Sequence, residues 1–479
     1  MGQYVSLYGR LSAYQAGDVL AMHMPGHKRN CAQAPYLSGL GAGLDITEID
    51  GFDNLHAPQG ILLEAQAHAA RLWGADESFF LVNGTSGGIL AALYTALRRG
   101  DEVLLARGSH KSVFHAIELC GLIPRFLLPP LMKDTGVFGS ISPAQVEQAL
   151  EHCPQVRAVL LTSPSYEGVI SNIAEIARIC HARNVLLLVD EAHGAHLGLS
   201  DGFPDGAVHG GADLVIQSLH KTLPSLTQTA ILHRCGNRID TGRLRHALSV
   251  FQTSSPSYLL MASIDGCVTL LHEKPELLTF WRENLRGFDR SVSKLTRIQP
   301  LLRSSPLPRE VFAYDPGKIL LHAAGVSGEA VMNALREKYR IELEMAAPRY
   351  ALAMTGPGDT QESLMRLADA LTSLETAFPV QPQKTEDAET ELYESLPVLS
   401  MPPEAALNAP KHFAAWLQCV GETAAEYVWA YPPGIPLVIP GEHIDSGLAH
   451  TLSQAARLPG RLHASFSDAA EGIFVVSGE

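Results

Sequence analysis

Two short segments hold the residue types with the most chemistry in them. Asp190-Glu191-Ala192-His193 follows the apolar run Val185–Val189, and Ser218-Leu219-His220-Lys221 follows the run Leu214–Ile216. Short apolar runs of this kind read as buried strands, and open α/β sheets bind ligands beyond the carboxyl ends of their strands. Asp190 and Lys221 are therefore expected to face one pocket from neighbouring strands. A lysine at the mouth of an apolar pocket can give up its proton and attack a carbonyl. On its own, Lys221 could equally be an exposed strand-end lysine, and Asp190 a turn cap.

A third segment favours the chemical reading. The apolar run Phe79–Val82 leads into Asn83-Gly84-Thr85-Ser86-Gly87-Gly88 and then into an apolar helix. A Gly-rich turn opening a helix offers free N–H groups and hydroxyls to a phosphate. A phosphate cup, a carboxylate for a ring nitrogen and a carbonyl-attacking lysine in one sheet are the parts that pyridoxal phosphate (PLP) requires. His110, just beyond the run Val103–Ala106, could stack on such a ring, or be structural.

Other chemistries remain possible on these residues. Asp190-Glu191-Ala192-His193 spells the DEAH box of helicase-type ATPases, but the chain has no GxxxxGK[ST] loop. Asp190, His193 and His196 could ligate a metal, although no further ligand is obvious. An aminotransferase or aldolase, with Arg349 as carboxylate clamp, or a silent binding protein would use the same elements.

The elements that must position these residues follow from the pattern. Helical stretches at Leu62–Trp73, Gly88–Arg98 and Ile173–Ala182 alternate with the apolar runs, which also include Val156–Thr162. The fold class is α/β, with a mostly parallel sheet covered on both faces. Residues 1–60 read as an arm of loops, 61–290 as the large domain and 291–377 as a small α+β domain. Residues 378–396, Pro-rich and acidic, read as a linker, and 397–479 as a C-terminal α+β domain. His272–Arg297 is expected to form one long helix, Ile341–Met345 a strand, and Asp359 the cap of a helix over Gln361–Leu374. Tyr431–Pro436 is expected to be a rigid loop.

Composition narrows the field. The chain has 479 residues, with 36 Lys and Arg against 50 Asp and Glu, a net charge of −14. An acidic chain without a basic block is a poor nucleic-acid binder. Hydrophobic residues make up 46%, enough for a large core, so global disorder is excluded. The seven cysteines form no CxxC, which fits reduced thiols in the cytoplasm. No segment reads as a signal peptide or a membrane span.

The motifs together resemble the Orn/Lys/Arg decarboxylase family, PLP enzymes of fold type I. They are Pro25-Gly26-His27-Lys28, the segment Asp45–His56, Asn83-Gly84-Thr85-Ser86, His110-Lys111-Ser112, Ser218-Leu219-His220-Lys221, Ser254-Ser255-Pro256-Ser257-Tyr258 and the stretch Tyr431–Glu442. The resemblance implies that Lys221 carries PLP and that Asp190 pairs with its ring nitrogen. It implies that His110 stacks on the ring, and that Thr85, Ser86, Ser218 and His220 hold the phosphate. His193 is placed at the cofactor too, and Ser254 is expected to reach the phosphate of a partner subunit. Two positions depart from the family pattern: Gly108 stands where Asn is common, and Ser254 where Thr is. The chain is similar to the short branch without an N-terminal receiver-like domain, which implies a homodimer or dimer of dimers and not larger rings. The implied reaction is decarboxylation of a basic amino acid, arginine before lysine or ornithine. Glu426, expected on a helix, and Glu442 are the candidates for binding the distal substrate cation.

Overall fold

The computed structural model describes residues 4–32, 34–378, 398–430, 435–457 and 462–478. Its contacts divide the chain into two compact units. The first joins residues 1–95, 188–283 and 356–358; the second joins 96–187, 284–355 and 359–479. The linker expected over 378–396 lies, except for Phe378, outside the described residues, and so do Tyr431–Gly434 of the expected rigid loop.

The main strands are β1 (Glu77–Leu81), β2 (Glu102–Ala106), β3 (Ile123–Leu127), β4 (Val156–Thr162), β5 (Leu186–Asp190), β6 (Leu214–Ser218) and β7 (Ala230–Arg234). In the first unit the strand order is β1-β7-β6-β5. β5 and β6 are parallel, with Asp190 opposite Ile216, while β7 runs antiparallel to both β6 and β1. In the second unit β2 pairs in parallel with β3 and β4. These parallel pairs, with the helices between the strands, make the chain an α/β protein, as expected. β7 was not expected as a strand. Its sequence, Ala-Ile-Leu-His-Arg, is buried through His233, so it shows no alternation of apolar and polar residues.

The helix Gly84–Ala96 lies close on the first unit's sheet because of Gly88. A Cβ at Gly88 would come within 2.6 Å of Leu81 Cδ1 and 2.8 Å of Ile216 Cγ2. Gly84 opens the helix at a φ of +66°, a left-handed conformation that glycine adopts without strain. The sequence arm is more ordered than loops alone. Leu7–Ala16 is a helix whose Leu7 and Leu11 are buried. Asp265 fixes its start, accepting from Tyr4 Oη and from Leu7 N, each at 2.6 Å.

The long helix expected over His272–Arg297 is two helices, Tyr258–Glu273 and Glu276–Val292, broken at Lys274-Pro275. Proline lacks the N–H that would continue the first helix and pushes the residue before it out of helical geometry. The helix Gln361–Leu374 forms as expected, but Thr360, and not Asp359, is the cap that accepts from Ser363 N. The strand expected over Ile341–Met345 shrinks to Met345–Ala346. That strand lies at the edge of an antiparallel sheet in which Lys318–Ala323 and Ala351–Met354 are central. The C-terminal part of the second unit pairs Lys411–Ala415 with Gly472–Val476, and Val428–Ala430 with Ile435–Val438 and Leu462–Ala464. Its core is built from Trp416, Val428, Val438, Ile444, Leu452, Ile473 and Val475.

Candidate active site

The first unit brings Asp190, His193, Ser218, Lys221 and Thr85 together. The parallel register puts Asp190 beside Ile216 at the carboxyl ends of β5 and β6. Side chains alternate along a strand, so Asp190, Ile216 and Ser218 share one face. The Gly84–Ala96 helix starts on that same face, packed over Leu81 and Ile216 at Gly88. Ser218 Oγ donates to Thr85 Oγ1 at 3.2 Å, so two hydroxyls meet at the helix N-terminus. Ser86, next in the helix, is exposed. Hydroxyls and unpaired helical N–H groups at one point form an anion cradle.

Lys221 lies in the four-residue helix Leu219–Thr222 that caps β6. Its Nζ is 3.0 Å from His193 Nε2 and donates to it when charged. His193 is buried. The imidazole is therefore placed to take the proton that a nucleophilic lysine must lose. His220 points its Nδ1–H at the Thr229 carbonyl, 3.0 Å away. Burial lowers the His220 pKa, the Thr229 carbonyl opposes this, and the Lys221 charge lowers it further.

Asp190 is buried, and desolvation raises its carboxyl pKa against the pull of Lys221 and of Ala192 N, which donates to Oδ1 at 3.1 Å. A desolvated carboxylate of this kind needs a cationic partner. A protonated ring nitrogen in the pocket is one such partner. The turn-cap role that Asp190 could have had is also present, through Ala192. His196 does not join this group. It is buried against Phe203 and Trp281, with ring centroids 4.8 Å from each. Among the described residues no three His, Cys, Asp or Glu side chains form a metal site.

His110 belongs to the second unit. It caps the helix Lys111–Cys120, its Nδ1 accepting from Ser112 N at 3.2 Å and from Ser112 Oγ at 2.8 Å. Those two donors leave the ring proton on Nε2 and fix the ring's direction. Ser254 is exposed on the loop between the helices Thr241–Phe251 and Tyr258–Glu273. That loop is tied to the Asp45–His56 segment, where His56 Nε2 is 2.8 Å from the Thr253 carbonyl and Tyr258 Oη donates to the Phe52 and Asp53 carbonyls.

The structure corrects the two substrate carboxylates. Glu442 is fully buried and forms a two-point pair with Arg107, with Nε to Oε1 at 3.2 Å and Nη2 to Oε2 at 3.1 Å. Ile439 N also donates to Oε2, at 2.8 Å. Arg107 also donates to the Pro436 and Leu437 carbonyls. Glu426 stands at a bend and not on a helix. It accepts from Phe466 N, Ser467 N and Phe474 N at 2.7 to 3.0 Å. Both carboxylates thus hold backbone in the second unit and are not available to a substrate cation. Arg107 was missed in the sequence, although it stands at the end of β2, where a charge without a partner could not be buried. Arg349, the alternative carboxylate clamp, donates to the Lys133 carbonyl.

Gly88→Ala tests the cradle. The added methyl must displace Leu81 or Ile216, which costs about 1–3 kcal/mol by overpacking. Thermal unfolding should record that loss, together with a weakened hold on inorganic phosphate. Unchanged stability would mean that the helix does not depend on this close approach.

Residues 6–293 match the family described as "Orn/Lys/Arg decarboxylase, major domain", and residues 386–464 match that family's C-terminal domain. An arginine decarboxylase of Bacillus subtilis is 34% identical over 448 residues, covering 91% of each chain. An arginine decarboxylase of Halalkalibacterium halodurans is 32% identical, covering 93% of this chain and 92% of the relative. The crystal structure of a Francisella novicida lysine decarboxylase superposes with a TM-score of 0.82 at 19% identity, covering 98% of this chain and 81% of that one; it shares the fold. With the strand-end Asp190 and Lys221 and the Thr85–Ser218 cradle in place, these matches show that the chain belongs to the Orn/Lys/Arg decarboxylase family.

Proposed function

We propose that this chain is a PLP-dependent decarboxylase of a basic L-amino acid, with arginine as the expected substrate. The observation that carries the reading is the Lys221–His193 contact at 3.0 Å beside buried Asp190 and the Thr85–Ser218 cradle. The donor set fits PLP: hydroxyls and helical N–H groups for a phosphate, a desolvated carboxylate for a pyridinium nitrogen, and an amine with a proton acceptor at hand. Bound there, PLP supplies an electron sink for the pair left behind when the α-carboxylate departs as CO₂. Thr85, Ser86, Ser218 and the helix N-terminus would hold its phosphate. Asp190 would keep the ring nitrogen protonated. Lys221 would hold the cofactor and give way to the substrate amine, with His193 taking and returning the Lys221 proton. His220, fixed by Thr229, would line the phosphate end.

Arginine is favoured because both relatives described above bear the name arginine decarboxylase. A panel of arginine, lysine and ornithine, scored for CO₂ and for agmatine, cadaverine or putrescine, tests it. Arginine should give the highest kcat/KM. Keto acid in place of CO₂ would instead support the aminotransferase reading.

The active form is read as a cytoplasmic homodimer or dimer of dimers. No described helix is long and apolar enough to cross a membrane, and all seven cysteines are free thiols. Exposed Ser254 is proposed to act on the phosphate held by the partner subunit. Mixing a Lys221→Ala protein with a Ser254→Ala protein should therefore restore part of the activity, since one of the two sites of a mixed dimer is intact. A fully active monomer in sedimentation would overturn the shared site.

A further inference from the structure

A line of four buried polar side chains crosses the first unit on the sheet face opposite Asp190. Ser78 of β1 lies opposite His233 of β7, and Gln217 of β6 lies opposite Ile231, two residues from His233 on the same face. Ser78 Oγ is 2.7 Å from His233 Nδ1, and His233 Nε2 is 3.1 Å from Gln217 Oε1. Gln217 Nε2 donates to Glu191 Oε2 at 2.7 Å, and Ala207 N donates to Glu191 Oε1 at 2.7 Å. None of the four is more than 4% exposed.

The donor directions follow from the chemistry of the groups. Burial raises the Glu191 carboxyl pKa to about 8, against the bonds from Gln217 and Ala207 N, so the line has one direction once Glu191 is ionised: the carboxylate only accepts, and Gln217 turns its NH₂ toward it and its oxygen toward His233. His233 then donates from Nε2, its Nδ1 accepts, and Ser78 donates. Burial alone lowers the His233 pKa to about 3, which keeps the ring neutral and able to play both parts. With Glu191 ionised, each buried group in the line is satisfied in this arrangement.

The line ends one residue from Asp190. Period-two alternation turns Asp190 to the face of Ser218 and Glu191 to the face of Gln217. Glu191 N makes the ladder bond to the Ile216 carbonyl, 2.9 Å, after which the chain turns away from β6. The Glu191–Gln217 bond therefore ties the turn that carries Asp190 to the strand that carries Ser218 and leads to Lys221.

We propose that Glu191 and Gln217, with His233 and Ser78 behind them, are positioning residues that hold Asp190 in register with Ser218 and Lys221. The proposal rests on the PLP reading above and adds residues that do not touch the cofactor. Losing the tie lets the Asp190 turn drift from β6, and an active-site carboxylate out of place by a fraction of an ångström loses much of its effect.

Gln217→Glu is the test, because without changing size it removes the amide NH₂ that donates to Glu191 and sets a second carboxyl against it. Exchanging the pair, Glu191→Gln with Gln217→Glu, restores a complete set: Ala207 N donates to the amide oxygen at 191, the amide NH₂ donates to the carboxylate at 217, and His233 still donates to that carboxylate. Gln217→Glu should weaken the affinity of the apoprotein for PLP, read by fluorescence titration, about tenfold or more. It should lower kcat about tenfold with KM for arginine within about twofold, and the exchange should recover most of both. Wild-type PLP affinity and kcat in Gln217→Glu would overturn the proposal while leaving the PLP reading intact. So would an exchange variant no better than the single one, since the restored hydrogen bonds would then not be what holds Asp190 in place. A wild-type protein that takes up no PLP would overturn both. If Gln217→Glu does not fold, ¹⁵N spectra of His233 in the wild-type protein at about pH 9.5, where Glu191 is ionised, decide the question. The proton should sit on Nε2; a proton on Nδ1 means the line does not exist as described.

Discussion

Lys221→Ala should reduce decarboxylation by about 10⁴-fold or more, the scale seen when a reacting nucleophile is deleted. The argument is local. The Lys221 amine is 3.0 Å from His193 Nε2, at the end of β6, on the turn that follows Ser218. Alanine removes the amine and leaves His193 without the group whose proton it is placed to take. Thr85, Ser86, Ser218 and Asp190 remain, so the affinity for PLP should fall far less than the rate. The visible absorbance that depends on a lysine attachment should disappear. Turnover, PLP titration and the absorption spectrum of one variant measure these separately. Near-wild-type turnover would remove Lys221 from the chemistry and with it the proposed function.

Glu442→Gln should cost the folded protein about 3–5 kcal/mol, the usual penalty for leaving one member of a buried ion pair uncompensated. Arg107 and Glu442 are 4% and 0% exposed in their side chains, so both charges are desolvated. Burial raises the Glu442 carboxyl pKa, and the Arg107 guanidinium is the leading influence that brings it back down. A neutral amide at 442 keeps one acceptor and loses the charge. Denaturant unfolding of wild type and variant measures the difference. Folded variant enzyme should retain a near-wild-type KM for arginine. A variant of unchanged stability with a strongly raised KM would instead return Glu442 to the distal substrate cation. Replacing both residues, as Arg107→Met with Glu442→Leu, should be less damaging than Glu442→Gln alone, because no charge is then left buried.

Features that depend on neighbours along the chain could be read from the order of residues alone. Asp190 and Lys221 were legible because a buried parallel strand is a short apolar run and its carboxyl end is where the run stops. The Thr85–Ser86 cradle was legible because Gly84, Gly87 and Gly88 announce a turn that opens a helix. Val156–Thr162 and Ile173–Ala182 have the same limits in the structure as in the reading. β7 was not legible, since a strand buried along its length lacks the alternation that marks a half-exposed one. Long-range packing settled where the remaining charges went. Glu442 and Arg107 are 335 residues apart, and nothing near either one names the other. Read alone, Glu442 was a carboxylate beside a rigid loop, free for a ligand; packed, it is the counter-ion of a buried guanidinium. Glu426 likewise acquired its three backbone N–H donors from segments 40 to 48 residues away. Glu191 and Asp190 are adjacent carboxylates in sequence, yet one faces the site and the other faces Gln217. The alternation of strand side chains sends them apart, and the neighbouring strand supplies a different partner on each face. A carboxylate's role is set by what desolvates it and what donates to it, and both come from across the fold.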